Sequence, residues 1–333
     1  MKRITYLIKR IFKMNFKNMR EIIKKTALKS GRSKLYVFID MIYSGIVYQA
    51  GYMDYYACEM YNASLKDRKT FMTRGKNDKY IRTLNNREYY HWFLNKDEFN
   101  KKFSKYLKRD HTILSNEKNL KKFVKNKEYI ICKPRSGSCG KGIEKIKVSE
   151  YNIKDLFKHL KDNNLIVLEE VIIQNKVMNK LYPLSVNTVR IVGMYVDNKP
   201  NVAIAFVRIG NKGNFVDNFN SGGMTAPVDI ETGIINFPAI DKKGNVYEMH
   251  PYTKTKIVGF KIPYWKEAIK LVKDVSKIQD KVKMVGWDIA FTDEGPLLVE
   301  GNEYPGHDIY QLPQHRKDNI GVLPMFEKIL KLR

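Results

Sequence analysis

Three oxygen-bearing side chains, Asp288, Glu300 and Asn302, stand in the segment from Gly286 to Asn302 at a spacing that can aim them at one point. Two β-prone runs flank Asp293-Glu294-Gly295, the pattern of an antiparallel hairpin. With the turn centred on Glu294, Asp288 falls opposite Glu300. Side chains alternate faces along a strand, so Glu300 and Asn302 share the face that Asp288 joins from the partner strand. Two carboxylates and one amide carbonyl make an incomplete all-oxygen cage. Such hard donors suit Mg²⁺, and also Mn²⁺, with water and phosphate oxygens completing the shell. Trp287, Ile289, Leu297 and Val299 are expected to fill the opposite face. The plainer alternative, a solvated hairpin, would not need them.

Upstream, Tyr129 to Lys133 reads as a buried strand delivering Lys133 to the mouth of Pro134-Arg135-Ser136-Gly137-Ser138-Cys139-Gly140-Lys141-Gly142. Three glycines let backbone N–H groups close around phosphate oxygens. The spacing is not that of a Walker A loop, and a strand, not a helix, is expected to follow. A plain hairpin turn is the competing reading. Leu165 to Ile172 is an apolar strand carrying Glu169 and Glu170, whose backbone could meet an adenine edge; alternatively the two acids only cap the strand at the surface. Arg190 and Arg208 lie on the arms of a hairpin centred on Lys199, which sets them face to face. Two opposed guanidiniums call for an anion between them, a phosphate or carboxylate, unless each pairs with an acid elsewhere. Asn218 to Gly223 adds a polar, glycine-bearing loop.

The elements that must position these groups read as α+β. Residues 1–85 are helix and loop. Basic amphipathic helices are expected over 96–108 and 116–126, strands over 143–148 and 165–171, and a helix over 153–163. Beyond residue 180 strands dominate: 188–196 and 202–209 form a hairpin, a second turn falls at Thr232-Gly233, and an amphipathic helix over 265–282 buries Ala268, Ile269, Val272, Val275 and Ile278. A helix over 323–332 closes the chain.

With 333 residues, 43% hydrophobic and 12% aromatic, the chain can bury a large core and is not a disordered polymer. A formal charge of +26 predicts polyanionic company: nucleotide phosphates, phosphorylated substrates, nucleic acid or an anionic membrane. Cys58, Cys132 and Cys139 are too scattered for a disulfide framework or a structural zinc site, and fit a reducing cytoplasm. No secretory signal is expected, and Leu35 to Tyr52 falls short of a membrane span. Residues 1–25, with Ile4, Leu7, Ile8, Ile11 and Phe12 on one face, could rest on an anionic bilayer or on the chain's own core. The tyrosines from Tyr43 to Tyr61 are either aromatic core or a sugar-stacking platform. His250, His307 and His315 match no standard metal spacing, although His307 lies nearest the proposed centre.

The ordered set of Lys133, the glycine loop, the Glu169-Glu170 strand, the two-arginine hairpin, Asn220 with Gly222-Gly223, and Asp288 with Glu300-Gly301-Asn302 before Pro305-Gly306 resembles the ATP-grasp superfamily over residues 95–310. Ser185 to Ile191 and Gly286 to Ile289 resemble its sugar-transfer-associated branch, found with polysaccharide-synthesis genes. The resemblance implies two α+β lobes clamping ATP behind a helix-rich N-terminal region: residues 1–85, a small lobe over 86–176 and a large lobe over 177–333. It implies that Lys133, and Lys96 as a second lysine, contact nucleotide phosphates beneath a lid that includes Ser136, Gly137, Ser138, Gly140 and Gly142. Glu169, Glu170 and Val171 would form the adenine hinge, Asn220 would approach the nucleotide, Arg190 and Arg208 would be catalytic, and Asp288, Glu300 and Asn302 would hold Mg²⁺. The family's acidic ribose contact has no counterpart between Gln174 and Leu184, and the open-sheet domain that usually precedes the grasp is not apparent in the first 85 residues.

The activity implied is ATP-dependent carboxylate–amine ligation through an acylphosphate, on a carboxylate-bearing cell-surface or capsular glycan or its precursor, in the cytoplasm or at the inner face of the membrane. A kinase for a sugar or polyol hydroxyl is the enzyme alternative. A basic nucleic-acid or membrane-surface binder is the third reading, and no specific nucleic acid is expected.

Overall fold

The computed structural model describes residues 14–137, 142–213, 217, 219 and 222–331. The chain divides into two compact units, Met1–Thr83 with Gly306–Arg333, and Leu84–Pro305. Its helices are α1 (Phe16–Ser30), α2 (Lys34–Val47), α3 (Tyr52–Ala57), α4 (Leu65–Arg68), α5 (Arg74–Leu84), α6 (His91–Leu94), α7 (Lys96–Leu107), α8 (Glu117–Val124), α9 (Ile153–Asp162), α10 (Lys176–Leu181), α11 (Trp265–Ile278) and α12 (Leu323–Leu330). Among the described residues none is long and apolar enough to cross a membrane.

In the first unit, Asn15 and Ser33 cap α1 and α2 by accepting from backbone N–H groups one turn on. Met19, Ile22, Val37, Met41, Tyr48, Tyr55, Tyr61 and Phe71 fill the core, with Tyr52 and Tyr56 packed against it. The tyrosine cluster is therefore mainly core, with Tyr43 left exposed at 41%. Arg68 grips Asp40 with both terminal nitrogens, and Asp54 accepts from Gly51 N, Arg74 N and the His307 ring. Residues 306–333, expected in the large lobe, group with this unit instead. Gln311 brackets the Met72 backbone on both sides, and Leu323 N reaches Thr70 O.

In the second unit, β1 (His111–Ile113), β2 (Tyr129–Lys133), β3 (Glu144–Lys147) and β4 (Val167–Glu170) form an antiparallel sheet ordered β1-β4-β2-β3. Leu120 and Val124 of α8 and Leu156 and Leu160 of α9 meet Ile130, Cys132, Ile146 and Leu168 in its core. The amphipathic spacing of those helices is what buries one face of the sheet. The glycine segment joins β2 to the strand β3, as the sequence reading required.

The larger sheet runs β11-β10-β5-β6-β7-β8-β9, built from β5 (Val189–Val196), β6 (Lys199–Ile209), β7 (Met224–Val228), β8 (Ala239–Asp241), β9 (Val246–Tyr247), β10 (Met284–Thr292) and β11 (Gly295–Asn302). Helix α11 packs across β5, β6 and β11. It ends at Ile278, sooner than its pattern suggested, because the Gln279 side chain brackets the Val282 backbone and turns the chain. Ile278 is consequently exposed at 39%. The turn at Thr232-Gly233 exists, but it is flanked by an isolated bridge between Val228 and Ile235 and not by a full hairpin. Helix α7, expected in the small lobe, packs Phe99 and Phe103 into the large-sheet core, with Phe103 5.3 Å from Trp287.

Candidate active site

Asp288 does sit opposite Glu300, but by a different route from the simple hairpin. Thr292 pairs with Gly295, so the turn is the two residues Asp293 and Glu294. That register alone would oppose Asp288 to Val299. A bulge at Val299 adds one residue to β11 and restores the Asp288–Glu300 pair. The bulge also changes which residues back the site. Leu298 pairs with Ile289 on the Trp287 side, whereas Leu297 pairs with Ala290 on the Asp288 side, contrary to the expected Leu297 and Val299. Gly301 permits this packing, since a Cβ there would lie 2.9 Å from Phe93.

On its other edge β10 sets Asp288 against Arg190. The arginines are not directly opposed: β5 and β6 turn at Asp197 and Asn198, both at positive φ, and Arg190 faces Phe206. Arg208, two residues on, lies diagonally on the same face. The anion between the guanidiniums is Asp288 itself. Arg190 Nε and Nη2 donate to its two oxygens at 2.7 and 2.8 Å, and Arg208 Nη1 donates to Oδ2. Arg208 Nη2 also reaches Asp217 Oδ1 at 3.0 Å, and Asp217 Oδ2 accepts from Thr188 N and Oγ1. At Gly286 a Cβ would lie 3.2 Å from Pro305 Cβ, a tight approach, and in ordinary contact with Arg190 Cδ at 3.4 Å.

Burial opposes charge on Asp288, which is 1% exposed, but Arg190 and Arg208 outweigh it and hold the carboxyl well below the usual range. Glu300 goes the other way. Over half its side-chain area is open, at 53%, yet local desolvation and then the Asp288 charge push its carboxyl up. A carboxyl that resists ionisation beside an ionised one is a place where a divalent cation can displace a proton. Arg190 Nη2 stays 3.9 Å from Glu300 Oε1, so Glu300 is only loosely neutralised. Asn302 is half-buried, and its Oδ1 accepts from Tyr304 N. Among the described residues no group of three or more His, Cys, Asp or Glu could hold a metal. The residues fit an ion held by Glu300 and Asn302 and completed by phosphate or water, with Asp288 already engaged by arginine.

A second charged cluster forms around Glu169, which is 3% exposed. Lys133 Nζ donates to its Oε2 at 2.7 Å, Arg109 Nε and Nη2 at 3.0 and 2.9 Å, and Asn100 Nδ2 donates to Oε1 at 3.0 Å. Burial works against ionisation, but Arg109 and Lys133 hold the carboxylate far below its ordinary pKa. Arg109 extends further, donating to Leu298 O at 2.7 Å and Val299 O at 3.3 Å. One guanidinium thus links β4 to the bulge that sets the Asp288–Glu300 register.

Glu169 is therefore neither a surface cap nor a residue with a free backbone edge. Strands β1 and β2 pair β4 on both sides, and Glu170 Oε2 accepts from Asp110 N. The paired strand ends at Glu170, so of the three residues only Val171 lies beyond it. Lys96 N donates to Arg135 O at 2.8 Å and Lys96 Nζ to Gly137 O at 3.0 Å. Burial, with Lys133 adding to it, lowers the Lys96 ammonium pKa, while Glu300 and Glu169 pull the other way. Arg135 clamps Asp97 and Glu98. Ser136, Gly137 and Gly142 are exposed, and both glycines adopt positive φ. Ser138, Gly140 and Asn220 lie outside the described residues, as does Cys139.

Arg109, Asn100 and Asp217 were not singled out in the sequence. Their signal was indirect: a strand-embedded Glu169 needs buried cations, and two same-face arginines need more than one carboxylate. Between Gln174 and Leu184, the polar groups of Gln174 and Asn179 are engaged with each other and with Tyr182 O, Ser185 O and Asn187. His250 is also structural. Its ring bridges Gly210 O and the Tyr252 and Thr253 N–H groups, and burial lowers its pKa.

A search of curated proteins gave no match. Among solved structures, the ATP-grasp ligase PsnB complexed with minimal precursor, Mg and ADP is 10% identical, with a TM-score of 0.43 over 80% of this chain and 68% of that one. D-alanine-D-alanine ligase from Helicobacter pylori is 16% identical, with a TM-score of 0.40 over 72% and 61%. The ADP complex of N5-carboxyaminoimidazole ribonucleotide synthetase is 12% identical, with a TM-score of 0.43 over 72% and 52%. The chain spans roughly half to two thirds of these neighbours' own length. The pattern of the sugar-transfer associated ATP-grasp family matches residues 75–321, including both charged clusters and the bulged hairpin, and the chain belongs to that family.

Proposed function

We propose that this protein is an ATP- and Mg²⁺-dependent carboxylate–amine ligase that acts through an acylphosphate on a carboxylate-bearing cell-surface or capsular glycan or its precursor. The observation that carries the reading is the Arg190–Asp288–Arg208 group with Glu300 paired opposite Asp288 on the neighbouring strand. Mg²⁺, held by Glu300 and Asn302 beside Asp288, would neutralise charge between nucleotide phosphates. Lys133 and Lys96 sit at the base of the glycine loop, where they would bind those phosphates, with Ser136, Gly137, Ser138, Gly140 and Gly142 covering them and excluding water. Residues from Val171 onward would receive the adenine, with Glu169 and Glu170 buttressing that edge, and Asn220 would approach the nucleotide. Arg190 and Arg208, preorganised by Asp288 and Asp217, would stabilise charge on the phosphoryl group as it passes to the acceptor carboxylate. Attack by an amine on the acyl carbon then forms the amide and releases phosphate.

The glycan class rests on the family's association with sugar transfer. The charge of +26 agrees with a phosphorylated or otherwise anionic precursor and with contact between the N-terminal region and an anionic membrane. Ile4, Leu7, Ile8, Ile11 and Phe12 lie outside the described residues. Incubation with Mg·ATP, candidate uronic acids and candidate amines should yield ADP, phosphate and amide in equal amounts. ADP without amide removes the ligation reading, and a stable phosphoester on a hydroxyl establishes the kinase instead.

A further inference from the structure

Helix α2 is apolar on two opposite sides. Val37 and Met41 face the core of the N-terminal unit. Leu35, Phe38, Ile39, Ile42 and Tyr43 line the other side and are exposed, Leu35 at 68% and Ile39 at 58%. A helix that is apolar all round is ordinarily covered, and a contiguous exposed patch of this kind marks an interaction surface. The preceding helix supplies charge beside it. Lys17, Arg20, Lys24 and Lys25 of α1 are exposed, with Glu21 the acid among them. Lys24, Arg32 and Lys34 line one shallow hollow with Leu28, which is 86% exposed, so the basic groups adjoin the start of the apolar stripe.

We propose that the outer stripe of α2, flanked by the basic residues of α1 and the α1–α2 turn, docks on an anionic lipid bilayer. Charge selects this occupant. A second copy of the chain would set the same exposed bases, Lys17, Arg20, Lys24, Lys25 and Lys34, against like charge, whereas anionic headgroups attract these lysines and the interface accepts apolar side chains of one helix face. The helix lies along the surface, since it is too short to span. The proposal makes specific the membrane contact named above and does not depend on which reaction the second unit performs.

The test is co-sedimentation of the full chain with phosphatidylcholine vesicles, with and without phosphatidylglycerol, at low and high salt. Binding is expected only with the anionic lipid, and weaker at high salt. Lys24→Gln with Lys34→Gln should lower affinity about 25-fold, at about five-fold per basic residue. Ile39→Glu with Ile42→Glu should abolish binding; the milder Ile39→Ser with Ile42→Ser guards against misfolding, with circular dichroism as the check. ATP turnover in solution should be unchanged in all of these, so failure here is separable from failure of the ligase reading. The proposal is overturned if anionic vesicles do not bind the protein or if binding ignores both sets of substitutions. It is equally overturned if light scattering shows a lipid-free dimer that Ile39→Glu with Ile42→Glu splits, or if hydroxyl-radical footprinting without lipid finds the Leu35, Phe38 and Ile42 side chains covered.

Discussion

Asp288 and Glu300 face each other across one strand pair, yet their replacement should act in opposite directions on stability. In Asp288→Asn the amide cannot accept from three guanidinium N–H groups, and two of its lone-pair positions become donors aimed at arginine. Arg208 keeps Asp217, and Arg190 loses both of its short contacts to Asp288 while Glu300 stays 3.9 Å away. Removing one member of a buried charge pair costs about 3–5 kcal/mol, a large part of a typical net stability of about 5–15 kcal/mol. Glu300→Gln instead removes a carboxylate that lies beside the like charge of Asp288, so the ligand-free fold should be unchanged or firmer at neutral pH.

The pH dependence follows. Glu300, with its raised folded pKa, contributes stability below the unfolded carboxyl pKa of about 4.3 and loses it as pH rises through the folded value. Asp288, with its depressed folded pKa, contributes stability above the unfolded value of about 3.9 and loses it as pH falls through the folded one. Urea unfolding followed by tryptophan fluorescence reads this directly, because Trp92, Trp265 and Trp287 all lie in the second unit. Both variants should lose turnover. Equal destabilisation by the two, or a loss under about 1 kcal/mol for Asp288→Asn, would refute the assignment of Asp288 to the arginines.

Arg109→Met and Glu169→Gln should couple in a double-mutant cycle by about 1–3 kcal/mol of unfolding free energy, because Arg109 donates twice to one buried Glu169 oxygen. Arg109→Met alone should also raise the KM for ATP, since the Val299 bulge loses its carbonyl partner; additive effects and an unchanged KM would remove the linking role. Burial pushes the Cys58 and Cys132 thiols up to about 12, so both should resist alkylation in native protein at pH 8 and react once urea unfolds it. Chelation of divalent ions should abolish turnover and leave the fluorescence-detected fold intact, and readdition of Mg²⁺ should restore it.

Much of the site's layout was legible in the sequence because strand alternation and turn residues are local. Tyr129 to Lys133 forms the strand its apolar run announces, and Asp197-Asn198 forms the turn that joins the arginine arms. Asp288 with Glu300 could be written down from spacing alone, and so could the shared face of Arg190 and Arg208. What spacing could not reveal is anything that depends on a third element. The bulge at Val299 costs β11 one ladder position, and tertiary partners such as Arg109, contributed from 190 residues away, hold it. The same is true of the partner between the arginines: a sequence shows two cations needing an anion, but only the packing of β10 beside β5 shows that the anion is Asp288. Likewise the segment after Pro305 continues directly from the hairpin in the sequence, but it groups with the N-terminal unit, where Gln311 and Leu323 bond to Met72 and Thr70. Periodicity specifies which face a residue takes, and burial against distant chain decides which charges meet there.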